Sequence, residues 1–88
     1  MIKFDAIEYN NPNKHYTDVK AWFDREGNII PLSMTYDGNE YEVDKIMDIR
    51  PAASLKSGGA GIRYTCMVEG KPTYLFLENT KWFYELVQ

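Results

Sequence analysis

Eighty-eight residues, with ten basic and thirteen acidic side chains and a net charge of −3, are enough for one domain with one core and no more. A single cysteine excludes an intrachain disulfide framework, and its place in an apolar alternation fits a reducing cytoplasm. The start of the chain alternates charge with apolar residues and has no apolar h-region, and no run approaches the ~18 apolar residues of a membrane-spanning helix. The expectation is therefore one cytoplasmic domain over residues 1–88, with no membrane contact.

An acidic total argues against a generic nucleic-acid binder, because affinity for phosphate backbones comes largely from Lys and Arg. The charge is unevenly spread, however. Residues 1–44 carry nine acids against four bases, whereas residues 45–71 carry five bases against two acids. A local field of that sign favours an anion in the middle third and repels polyanions elsewhere. Thirteen aromatics give this short chain a core larger than its length suggests.

Ile2, Phe4 and Ala6 alternate with Lys3 and Asp5, a period of two that predicts a short strand before Asn10-Asn11-Pro12-Asn13 breaks it. From Tyr16 to Asp24, Val19, Ala21 and Phe23 share one face, and Asp18, Lys20 and Trp22 share the other. Arg25-Glu26-Gly27-Asn28 is the hairpin turn that follows. The return strand, Ile29 to Tyr36, puts Ile30, Leu32, Met34 and Tyr36 in one row. Pro31 cannot donate to a ladder, so the strand is an edge there or carries a bulge. Asp37-Gly38 is a tight-turn signal leading into Glu40 to Arg50. The inward row slips phase between Val43 and Ile46, which predicts a β-bulge near Asp44-Lys45.

The only long connection is Arg50 to Arg63, holding three of the six glycines. Pro51 and Gly58 bracket one or two helical turns over Ala52 to Ser57. After Gly58-Gly59-Ala60-Gly61, Ile62 to Glu69 alternates cleanly. A Glu69-Gly70-Lys71-Pro72 turn leads to the strand Thr73 to Glu78, and Asn79-Thr80 leads to Lys81 to Val87. The last two strands are apolar on both faces, so something must cover both. A second copy of the chain, joined through the 73–87 hairpin, is one such cover.

Six or seven short antiparallel strands at this spacing predict an all-β fold: a small, strongly bent barrel, SH3-like or related, with one helical turn in the 51–57 loop. The strand-turn-strand pattern resembles short uncharacterised all-β proteins of Gram-positive bacteria, a resemblance that carries no functional motif.

Chemistry is sparse. Cysteine nucleophiles need a nearby base, and Cys66 lies mid-strand about fifty residues after the single histidine, His15, so a buried inert thiol is expected. One Cys and one His do not make a zinc site, and Asp37-Gly38-Asn39-Glu40 departs from the EF-hand order. Neither a metal nor a cofactor is expected. Glu40 and Glu42 share a face and could form an acid/base pair, although the solvated outer face of an edge strand is the better account of them. The Gly-rich loop is where a functional reading competes: backbone N–H groups form a nest for an anion, Arg50, Lys56 and Arg63 add charge, and Ser54 and Ser57 add hydroxyls. The Walker A order is absent. A non-catalytic binding module for a protein or an anionic ligand is therefore expected. The alternatives are a nucleic-acid-binding barrel that adds exposed aromatics, or a small enzyme whose site is shared between subunits.

Overall fold

The computed structural model describes residues 14–52 and 61–87. Within them lie seven strands: β1 (His15–Thr17), β2 (Val19–Phe23), β3 (Ile29–Tyr36), β4 (Asn39–Pro51), β5 (Ile62–Val68), β6 (Lys71–Glu78) and β7 (Lys81–Leu86). All neighbours pair antiparallel, in the order β1-β7-β6-β5-β4-β3-β2. The chain is thus a six-strand meander with β1 returned to the far edge beside β7. β1 and β2 lie at opposite edges of that sheet, yet only Asp18 separates them. So short a covalent link forces the sheet to curl until its edges approach, and the result is an all-β, strongly curled barrel-like shell. Asp18 marks the joint: its carbonyl accepts the Thr35 N–H at 3.0 Å, and the Thr17 hydroxyl donates to the Thr35 carbonyl.

Local sequence explains the turns. Asp37 and Gly38 have φ of 50° and 80°, and Glu69 and Gly70 have 51° and 73°, the double left-handed geometry of a two-residue hairpin turn. The second turn is thus tighter than the four-residue Glu69–Pro72 reading, because Lys71 and Pro72 already belong to β6. At Gly27, φ is 90°, and the Asp24 carboxylate accepts the Glu26 and Asn28 backbone N–H groups at 2.8 and 2.9 Å.

Bulges bend the long strands. The β2–β3 register shifts between Lys20 and Ala21, so that Leu32 falls out of register directly after Pro31. Leu32 is consequently half exposed and does not join the inward row. β4 shifts twice against β5, once at Asp44 and again at Met47. The first shift is the one expected from the Val43–Ile46 spacing. Its first residues, Asn39 to Glu42, pair with β3, while Val43 to Pro51 pair with β5.

The interior collects Met34, Tyr64, Cys66, Val68, Leu75 and Leu77, flanked by Val19, Ile29, Tyr41, Val43, Ile46, Ile62, Trp82 and Tyr84. The Tyr64 hydroxyl donates to the Ile29 carbonyl at 2.6 Å, tying β5 to β3 where β3 and β4 diverge. β6 and β7 are covered on both faces, as their composition demands. On the outer side, Phe76 and Phe83 stack with ring centroids 4.7 Å apart, and Tyr16 meets Phe83 edge-on. The expected strand at Ile2–Ala6 lies outside the described residues. Of the expected helical segment, Pro51 is instead the last residue of β4, Ala52 follows it, and the remainder also lies outside them. Among the described residues none is helical, and no helix is long and apolar enough to cross a membrane.

Candidate functional site

The connection singled out in the sequence is shorter than Arg50 to Arg63. β4 and β5 stay paired to its base: Arg50 opposes Arg63, Pro51 opposes Ile62, and the Ala52 N–H donates to the Gly61 carbonyl at 3.0 Å. Both arginines are therefore strand residues. Ser54, Lys56 and Ser57 lie outside the described residues.

The registers place Arg50 and Arg63 in one row across the outer face, continuing through Phe76, Phe83 and Tyr16 on β6, β7 and β1. Like charges directly opposite each other on a sheet repel. One carboxylate offsets this: Asp48, two residues before Arg50, accepts from Arg50 Nε at 2.6 Å and from Nη2 at 3.2 Å. The Arg50 hydrogen bond, and then the nearby charges of Arg50 and Arg63, hold the Asp48 carboxyl below its usual range. The same bond pushes the Arg50 guanidinium up. Arg63 instead lies over the Tyr74 ring, 4.8 Å from its centroid, a cation–π contact. Its Nε is buried and has no hydrogen-bond partner. Among the described residues, Asp48 is thus the one acid bound in this row, and it pairs with Arg50.

Gly61 has a packing role. A Cβ there would meet the Leu77 carbonyl oxygen at 2.6 Å, a contact with backbone that cannot swing away. Gly61→Ala is expected to cost about 1–3 kcal/mol of stability by urea titration. An unchanged midpoint would show that β5 can move off β6 at no cost.

The other chemical groups are placed as follows. Cys66 is fully buried, and burial pushes its thiol up to about 11, so it is protonated and unreactive at neutral pH. His15 is exposed on β1, where it stacks on Tyr84 with ring centroids 5.4 Å apart. Glu40 is held by one buried and one exposed neighbour: the Ser33 hydroxyl donates to it at 2.6 Å, and Lys20 lies at 3.1 Å. Those contacts, Ser33 first, lower its carboxyl. No three His, Cys, Asp or Glu among the described residues are placed to hold a metal ion. On the 73–87 hairpin, the surface expected to meet a second copy, Leu77 and Phe83 are 8% and 2% exposed within the single chain. The large exposed apolar side chains lie mostly elsewhere, with Trp22, Phe23, Leu32, Met47 and Ile49 among them.

The ion pair between Lys14 and Glu78 was not legible in the sequence. Its partners are separated by 64 positions, and their side chains are 5% and 13% exposed. No local pattern announces a pair formed only when β1 docks on β7.

The class defined by fold and site is a small all-β barrel-like domain with a cationic outer row. No protein-family model, curated protein or solved structure matches the chain.

Proposed function

We propose that the protein is a non-catalytic binding module that recognises an anionic group, such as an acidic segment of a protein partner, through Arg50 and Arg63. The observation that carries this reading is the cross-strand arginine pair, of which, among the described residues, only Arg50 has a carboxylate partner, Asp48. An incoming anion relieves the repulsion between the two guanidinium groups. Ser54, Lys56 and Ser57, on the connection joining the two strands, belong to the proposed site by sequence position. Support for a non-enzymatic role comes from the buried, protonated Cys66 and the solvent-facing Glu40 network. The buried thiol also supports a cytoplasmic setting. A homodimer on the 73–87 hairpin would have to use what stays exposed there, chiefly Leu86.

The test is a titration with hexaglutamate, followed by the Arg Nε–H resonances at low ionic strength. Saturable shifts of the Arg50 and Arg63 signals are expected, together with a several-fold loss of affinity in Arg50→Gln and Arg63→Gln. Unmoved arginine signals would overturn the reading. A single-stranded DNA that binds tighter than the peptide, with steep loss of affinity as salt rises, would transfer the site to the nucleic-acid alternative.

A further inference from the structure

A second concave feature lies at the other end of β5. A cavity of about 220 Å³ opens where β3 ends, β4 begins and β5 turns into β6. Its floor is the apolar core itself, Met34 and Val68. Tyr36 and Tyr41 form walls, and Glu69 and Lys71 form the rim on either side of Gly70. The rim is fixed in place: the Gly70 N–H donates to Asp44 Oδ2 at 3.2 Å, and the Val87 N–H donates to the Pro72 carbonyl at 3.3 Å. Tyr36 is braced edge-on against Tyr84, with centroids 5.5 Å apart.

Three features of this cavity select a ligand. Its volume accommodates a small ring system and falls short of the ~300–1,000 Å³ typical of larger organic ligands. Its floor and walls are apolar and aromatic, which suits a ring that stacks. At its mouth stand one carboxylate and one ammonium, and neither Glu69 nor Lys71 has a side-chain ion pair or hydrogen bond to a described residue.

We infer that this cavity binds a small aromatic zwitterion of the aromatic α-amino-acid class. The ring enters between Tyr36 and Tyr41, the ligand ammonium meets Glu69, and the ligand carboxylate meets Lys71. The site is separate from the Arg50–Arg63 row, which lies at the opposite end of β5, so either can fail without the other.

L-Phenylalanine is the probe, compared with 2-phenylethylamine, which lacks the carboxylate, and 3-phenylpropanoate, which lacks the ammonium. Backbone amide shifts at low ionic strength are the readout. Saturable shifts at Met34 and Glu69 to Lys71 are expected, with each analogue binding about three- to tenfold more weakly, the range for one partly exposed charge pair. Glu69→Gln should weaken L-phenylalanine to about the level of 3-phenylpropanoate while leaving 3-phenylpropanoate unchanged. Lys71→Gln should do the same with respect to 2-phenylethylamine. Both changes lie on the exposed rim, and an unchanged far-ultraviolet spectrum checks that the fold survives. The inference is overturned if no saturable shift appears at these residues. It is equally overturned if all three compounds bind alike in the parent and in both variants, because the cavity would then read only the ring.

Discussion

Replacing Leu75 with Ala is expected to lower the unfolding free energy by about 3 kcal/mol, within the range of about 2–5 measured for truncation of a fully buried aliphatic side chain. Leu75 has no exposed surface and stands between Tyr64 on β5 and Tyr84 on β7. Removing its isobutyl group leaves a hole that neither neighbour fills easily, because the Tyr64 hydroxyl is held by the Ile29 carbonyl and the Tyr84 ring is flanked by His15 and Tyr36. A domain of this size has roughly 4–13 kcal/mol of total stability, so the loss is a large part of it. In urea, with a slope near 1 kcal/mol/M for a small protein, the midpoint should fall by about 3 M. Leu86→Ala is the control. Leu86 is 46% exposed and should cost under about 1 kcal/mol. Equal losses in the two variants would refute a core centred on Leu75.

The second large effect concerns charge. Lys14 Nζ lies 2.5 Å from Glu78 Oε2 and 4.9 Å from the centre of the Phe83 ring, while Glu78 Oε1 is buried with no hydrogen bond. Lys14→Met strands a carboxylate in that environment and should cost about 3–5 kcal/mol. Lys14→Met combined with Glu78→Leu removes both charges and should return to within about 1 kcal/mol of the parent. Added salt should change the single variant's penalty little, because buried pairs are weakly screened. If the double variant is as unstable as the single one, the two side chains do not act as a pair.

Much of the architecture is legible from local pattern. Asp37-Gly38 adopts the left-handed turn that its residue types favour, Glu69-Gly70 adopts the same turn although only its glycine favours it, and the strands between them follow the alternation. The Asp44 bulge shows as a three-residue step from Val43 to Ile46. The Met47 bulge leaves the same signature, Ile46 to Ile49. The break at Asp18 leaves no such trace. Thr17 pairs with Trp82 and Val19 with Met34, both core-facing, so alternation runs unbroken through the point where the strand changes partner. That exchange is a long-range event, and side-chain period records only which face is buried.

The cationic site was legible in part. Charge clustering pointed to Arg50 and Arg63, but glycine content suggested a loop where Pro51 and Ile62 in fact extend the ladder. Gly61 was read as nest material, whereas its lack of a side chain serves the close approach to the Leu77 carbonyl. The aromatic cavity went unnoticed because Tyr36 and Tyr41 flank one hairpin turn and Glu69 and Lys71 belong to another, and nothing in the sequence spacing brings the two hairpins together.

The handover at Asp18 also bears on how the molecule is made. β1 precedes the other described strands in the chain, yet its ladder partner among them is the seventh, so its backbone amides stay bonded to water until the meander has assembled behind it. Closing the shell therefore joins strands far apart in sequence, a high-contact-order step expected to fold more slowly than the hairpins.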